Sequence, residues 1–443
     1  MDSALLHQLV DDALKAGADA AEAVGSQSAS LSVEVRLGQV EEVERSESRD
    51  LGLRVFVGQS QAVVSGSDPS PAALKKLVER AVAMARLAPA DPYVGLAPQE
   101  LLAKGPHPEL DLYDPAEPSA EQLEAAARRA EDAARAVAGV TNSDGGSAGW
   151  SKGEWRFVTS NGFEGEHRSS GFSLGASAIA GEGAGMERGG EGRSTRHLSD
   201  LPDPESIGAE AGRRAVQRLG ARRLASQTAP VVIENRAAMS LISPLIGAIA
   251  GPSVARGVSF LKDRLGQPLF AKGIHLTDDP FRVRGLGSTP FDDEGVAVQK
   301  RAIIADGVLT TWLLNLSSAR QLGLTSTGHA HRALAGAPSV STHNLTLEPG
   351  TASQVDLLRD AGAGLFVTSL FGPSLNSNTG DWSAGVSGFW FEGGELAYPV
   401  NEITIAGNLV DLYGRLVPGA DLELRGASNA PSLLIDAVAI GGQ

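Results

Sequence analysis

Residues 31–57 read LSVEVRLGQVEEVERSESRDLGLRVFV, and their alternation decides the fold class of the first part of the chain. In LSVEVRL (31–37), VEEVER (40–45) and LGLRVFV (51–57), apolar side chains alternate with polar or small ones. A period of two puts each set on its own face of a strand. Gly38-Gln39 and Gly58-Gln59 supply the turns, so the stretch reads as an antiparallel meander. Helices bracket it. Upstream, Leu5, Leu6, Leu9, Val10, Ala13 and Leu14 recur at helical spacing, with Ser3 as the expected N-cap and Gly17 as the stop. Downstream, Ser70-Pro71 gives a cap and a first-turn proline before Leu74, Leu77, Val78, Ala81, Val82 and Ala85. Helix, meander, helix is an α+β unit.

The same reading extends along the chain. LAPADPY (87–93) is a linker, and the proline-rich joint DLYDPAEPSAEQ (111–122) opens a second unit. Ser119 and Gln122 have capping-box spacing ahead of a helix over 119–138. Strands follow within 155–182 around an Asn161-Gly162 hairpin turn, and Asp203-Pro204 starts a helix to about Leu224. From Ala229 the pattern changes to short strands and tight turns. APVVIE (229–234) reads as a buried strand, hairpins centre on Asp306-Gly307 and Gly393-Gly394, and APSLLIDAVAI (430–440) closes the chain as a strand. The expected fold class is α+β, with an N-terminal α+β half in two pieces, residues 1–117 and 118–225, and a β-rich C-terminal domain over 226–443. A parallel doubly wound sheet across 230–440 is not expected.

Composition narrows the function. The chain has 443 residues, 42 % of them hydrophobic, 53 glycines and no cysteine. Without cysteine there are no disulfides, thiolate metal sites or thiol nucleophiles. No apolar run approaches the roughly 18 residues of a membrane span, and the start has no basic region before an apolar core, so a cytoplasmic chain is expected. A net charge of −15 repels phosphate backbones. Arg213-Arg214 and Arg222-Arg223 share their helical stretch with Glu205 and Glu210 and read as a solvated face, so neither nucleic acid nor membrane is an expected partner.

Two stretches could carry chemistry. PFDDEGV (290–296) places Asp292, Asp293 and Glu294 side by side. Adjacent strand residues point to opposite faces, so these carboxylates converge on one ion only within a turn. A turn whose side chains cap backbone groups or line a groove is the expected reading, as for the neighbouring acidic turn LTDDPF (276–281). HAH (329–331) could put His329 and His331 on one strand face, with His343 as a third ligand, yet no carboxylate lies at a diagnostic spacing. No H-E-x-x-H pair and no G-x-S-x-G elbow is present.

Ordered blocks along nearly the whole chain resemble the TldD/PmbA family, and within it the PmbA/TldE branch. They are AGADAAEA (16–23), residues 38–86, SNGFEGE (160–166), the PFDDEG…DGVL block, STGHAHR (326–332), residues 376–409 and APSLLI (430–435). The resemblance implies a heterodimer that degrades or trims unstructured peptides, with roles in peptide-antibiotic maturation and antitoxin removal. One subunit, of the TldD type, holds zinc through an H-E-x-x-x-H helix and a cysteine. The PmbA/TldE type is its partner.

In the zinc-bearing branch the metal helix follows a strand equivalent to PVVI (230–233). At the same distance this chain has Ser243, Pro244 and Ala248 where zinc chemistry needs histidine and glutamate, and no histidine lies between His197 and His275. The resemblance therefore implies no catalytic residue and no metal cofactor in this chain, with zinc in the TldD-like partner. Asp292, Asp293 and Glu294, with Thr379, Gly380, Asp381 and Ser383 of the glycine-dense segment, are the candidates for a substrate groove or subunit interface. Two other readings stay open. One is a stand-alone homodimeric peptide-binding scaffold, and the other a hydrolase using the acidic block or the 329–343 histidines.

Overall fold

The computed structural model describes residues 2–442, a mixed α+β chain with a β-rich C-terminal part. The N-terminal piece runs α1 (Ser3–Lys15), β1 (Ala20–Arg36), β2 (Gln39–Val57), β3 (Ser60–Gly66) and α2 (Pro71–Leu87). The central piece runs α3 (Ala120–Arg135), β4 (Val140–Thr159), β5 (Glu164–Ala180), β6 (Glu187–Thr195) and α4 (Pro204–Gln217). VEEVER and LGLRVFV lie on one continuous strand, β2. Helix α1 is capped by Asp2, whose carboxylate accepts the Ala4 N–H at 3.0 Å, and not by Ser3. Ser70 caps α2, and Ser119 with Gln122 forms a reciprocal capping box on α3. Helix α4 ends at Gln217, short of Leu224.

Both pieces contribute to one six-stranded sheet, ordered β3-β2-β1-β4-β5-β6. The join is the long antiparallel pairing of β1 with β4, in which Leu31 faces Trp150 and Val33 faces Ala148. Two apolar layers cover this sheet. Helices α1 and α2 bury Leu6, Leu9, Leu77 and Val78 against the β1–β3 end, while α3 and α4 bury Leu123, Ala127 and Ile207 against β4 and β5. Glu131 of α3 is buried, and its carboxylate accepts the Leu37 and Gly38 N–H groups of the β1–β2 turn at 2.6 and 2.9 Å. A turn with two positive-φ residues leaves backbone donors unpaired, and this glutamate satisfies them.

The C-terminal part begins with β7 (Gln227–Ile233), α5 (Asn235–Ile249), α6 (Gly251–Ala255), β8 (Leu276–Asp278), β9 (Arg301–Ala305), β10 (Val308–Leu309) and α7 (Leu316–Leu322). It continues with β11 (Ala330–His331), β12 (Ser339–Val340), β13 (Leu345–Leu347), α8 (Gln354–Ala361), β14 (Ala363–Leu375), β15 (Asp381–Glu392) and β16 (Glu395–Asn408). It ends with α9 (Leu409–Arg415), β17 (Leu416–Pro418), β18 (Ser428–Asn429) and β19 (Leu433–Gly441). Strands β7, β14, β15, β16 and β19 pair in a closed circuit, because β16 also pairs with β19. Closure removes open sheet edges. Only β7–β14 and β13–β18 run parallel among the named pairs, so no doubly wound sheet forms. The closure needs a close strand approach at Gly388, where an added Cβ would sit 1.9 Å from the Phe366 carbonyl oxygen. Val231, Ile233, Leu241, Leu245 and Leu365 pack α5 onto the circuit in the largest apolar cluster.

Candidate functional site

The acidic turn is docked through Phe291. Its ring packs edge-on against Phe163 at 5.2 Å, and a Cβ on Gly165 would lie 2.5 Å from it. From that anchor the three acids diverge. Asp292 Oδ1 accepts the Glu294 and Val296 N–H groups, each at 2.9 Å, and Oδ2 accepts the Ala330 N–H at 3.1 Å. Asp293 Oδ2 accepts the Arg332 N–H at 2.8 Å and lies 3.2 Å from His331 Nδ1. Glu294 Oε2 accepts the Leu316 N–H at 2.7 Å, at the start of α7. Asp292 and Asp293 both cap the 330–332 segment, and Glu294 caps the start of α7. Among the described residues, these three acids do not gather their oxygens as a group that could hold one ion.

Burial sets their charge state. Asp292 and Glu294 are closed off from solvent, and burial pushes both carboxyls up, Glu294 to about 7 against the pull of Arg54. Glu294 Oε1 lies 3.9 Å from Arg54, which also reaches Glu22 at 3.1 Å, and Arg332 pairs with the same Glu22. All four side chains are buried, so this cluster ties the first sheet to the C-terminal part.

Asp292 and Asp293, with His331, Arg332 and His343, face Trp155 and His167 of the sheet across a cleft of about 320 Å³. Burial holds the His167 imidazole below its ordinary value, whereas the hydrogen bond to Asp293 raises that of His331. The pairing of His329 with His331 that the HAH spacing would allow does not occur. His331 is exposed beside Asp293, while His329 is buried and turns to Asp278. There His329 Nε2 and His343 Nδ1 approach Asp278 Oδ2 at 3.0 and 2.7 Å, and the His343 N–H donates to Oδ1 at 2.8 Å. Burial raises the Asp278 carboxyl, but the two histidine hydrogen bonds outweigh it and hold it well below the usual range. In sequence, Asp278 belongs to the acidic turn LTDDPF, and no spacing marks it as a partner of these histidines. It lies on β8, and the antiparallel pairing of β8 with β13, Asp278 opposite Leu345, brings it beside His343.

The other candidate positions fall elsewhere. Ser243, Pro244 and Ala248 lie on α5, directly after β7. The Ser243 hydroxyl donates to the Met239 carbonyl at 2.7 Å, Pro244 has no N–H, and Ala248 is buried. No imidazole, carboxylate or thiolate occurs on this helix, so its residues do not fit a zinc ion. Thr379, Gly380, Asp381 and Ser383 sit around the β14–β15 turn and do not line the cleft. Thr379 Oγ1 donates to Asp381 at 2.7 Å, Asn408 donates to the Thr379 carbonyl at 2.8 Å, and Gly380 takes φ +84° beneath Phe260. A larger cleft of about 720 Å³ beside β6 carries several arginines, yet Arg214 is paired with Glu234 at 2.7 Å, and Arg236 and Arg425 are both paired with Glu191.

Family models describing the PmbA/TldA metallopeptidase match in three segments: domain 1 over residues 21–85, the central domain over 113–219 and the C-terminal domain over 226–442. The chain is 40 % identical to Metalloprotease PmbA of Escherichia coli O157:H7, covering 99 % of this chain and 96 % of that one. The chain belongs to the PmbA/TldA metallopeptidase family. A Metalloprotease PmbA homolog of Haemophilus influenzae is 38 % identical, covering 98 % and 94 % of the two chains. The crystal structure of a candidate modulator of DNA gyrase from Bacteroides thetaiotaomicron superposes with a TM-score of 0.92 at 28 % identity, covering 99 % and 98 %. That of TldE from Thermococcus kodakarensis gives 0.88 at 22 %, covering 99 % and 100 %, and shows the shared fold. Among the described residues, no helix is long and apolar enough to cross a membrane. The relatives' names imply use of a metal. Among the described residues, the one group of three metal-ligating side chains close together is Asp278, His329 and His343, away from α5.

Proposed function

We propose that this chain is the PmbA/TldE-type non-catalytic subunit of a two-chain, cytoplasmic zinc metallopeptidase acting on unstructured peptides. The observation that carries the reading is α5. It follows β7, where the resemblance puts the metal helix of the zinc-bearing branch, and its Ser243, Pro244 and Ala248 supply no zinc ligand and no general base. The catalytic zinc then belongs to a TldD-like partner, and this chain contributes by completing a binding chamber. Three units, residues 1–117, 118–225 and 226–443, make up its share, with Asp292, Asp293 and Glu294 shaping the turn that walls the cleft. Thr379, Gly380, Asp381 and Ser383 would form a separate part of the groove or subunit contact.

The test is reconstitution. This chain and a TldD-like chain are purified separately, then assayed alone and mixed on a casein-like unstructured peptide. Activity is expected only in the mixture, together with a stable 1:1 complex in light scattering, and a chelator is expected to abolish it. Full activity of the partner alone, with no complex formed, would refute the reading. A stable dimer of this chain that ignores the partner and binds peptide would favour the stand-alone scaffold.

A further inference from the structure

We propose that Asp278, His329 and His343 form a binding site for a divalent transition-metal ion of the zinc type, distinct from α5 and independent of any partner subunit. It departs from the expectation of a metal-free chain. The ligand atoms Asp278 Oδ2, His329 Nε2 and His343 Nδ1 lie within 4.8 Å of one another, and all three residues are buried. The two nitrogens stand 3.0 and 2.7 Å from the carboxylate oxygen. Ligands about 2.0–2.1 Å from a tetrahedral zinc are themselves roughly 3.3 Å apart, so an ion needs only small shifts to enter.

The surroundings fix the ligands as outer partners do in metal sites. Thr327 Oγ1 lies 2.8 Å from His329 Nδ1, so the hydroxyl can accept that N–H while Nε2 turns its lone pair to an ion. The same hydroxyl has the Leu314 carbonyl at 3.3 Å as an acceptor for its own proton. Asp278 Oδ1 is held by the His343 N–H at 2.8 Å, which leaves Oδ2 for the ion. His343 lines the 320 Å³ cleft, so a fourth ligand, water or a peptide group, has access from that side. Arg282 and Arg301 both lie close enough to feel the Asp278 charge. Their fields oppose a dication, so the expected affinity is moderate, below that of a closed structural zinc site. Two imidazoles with one carboxylate favour zinc, cobalt or nickel over magnesium or calcium.

The experiment uses the full chain alone, stripped with a chelator and titrated with Co²⁺. One ion per chain is expected, with the visible absorption of tetrahedral nitrogen–oxygen coordination, displaced by Zn²⁺. His343→Ala, at the edge of the cleft, should weaken uptake at least tenfold, while His331→Ala should leave it unchanged. Should His343→Ala fail to fold, the zinc-edge anomalous map of soaked wild-type crystals locates the ion without a variant. Absence of stoichiometric uptake, loss in His331→Ala instead, or anomalous density only elsewhere would overturn the proposal.

Discussion

Arg332 donates to the Glu22 carboxylate across 310 residues of chain, and solvent reaches neither side chain. Glu22 also holds Arg54 at 3.1 Å, so one carboxylate from β1 balances two buried guanidinium groups from different parts of the molecule. Glu22→Ala leaves both cations buried without it. Breaking such a pair typically costs about 3–5 kcal/mol, and a clear drop in melting temperature is expected by scanning fluorimetry. Glu22→Gln, which keeps the shape but not the charge, should fall between the variant and wild type. A melting temperature unchanged in Glu22→Ala would mean that the contact contributes nothing to the docking of the first sheet.

Glu294 makes stability depend on pH. Its carboxyl titrates near 7 in the fold and near its ordinary value of 4.5 when unfolded, so between those values the folded state holds more protons. Stability from this group is full below about pH 4.5 and is lost as pH rises through 7, on the order of 3 kcal/mol over the window. Asp292 shifts in the same direction and adds to the fall. Denaturant melts of Glu294→Gln between pH 4.5 and 8 should show a shallower fall than wild type, and an identical slope would show that Glu294 is already ionised throughout.

Gly388→Ala should disrupt the closed circuit of strands. The new Cβ would meet the Phe366 carbonyl oxygen at 1.9 Å and the Val367 Cα at 2.9 Å, both backbone atoms that cannot yield without breaking the β14–β15 pairing. Gly393→Ala is the control, since nothing lies within 4 Å there and only its φ of +61° is strained, at about 1 kcal/mol. Soluble yield and melting temperature should fall sharply for the first and modestly for the second. Equal behaviour would argue against the close approach.

Ser243→Ala addresses α5. The hydroxyl is engaged with the helix's own Met239 carbonyl and faces solvent, so its removal should leave peptidase activity of the reconstituted pair within twofold of wild type. A tenfold loss of kcat with an unchanged melting temperature would put this helix back into the chemistry.

Most local patterns read correctly where neighbours in sequence decide the outcome, though α1 is capped by Asp2 and not by Ser3. The period of two in residues 31–57, the caps at Ser70 and Ser119, and the hairpin turns at Asn161-Gly162 and Asp306-Gly307 are set by side-chain alternation and by residues suited to turns. Helix α5 is not among the expected elements of the C-terminal part: Pro244 inside it lacks an N–H and argues against a helix, although Ala238, Leu241, Ile242, Leu245 and Ile249 recur at helical spacing.

By itself, the sequence determined the α+β class, the family, and that α5 carries no imidazole, carboxylate or thiolate, since an absent side chain cannot be restored by folding. Only the tertiary structure decided that β1 pairs with β4 to join the first two pieces in one sheet, and that β16 meets β19 to close the strand circuit. Only it decided that His329 leaves His331 for Asp278 and His343. Those pairings join residues tens to hundreds of positions apart. Burial and backbone register select them, and neither is written in the spacing of nearby residues.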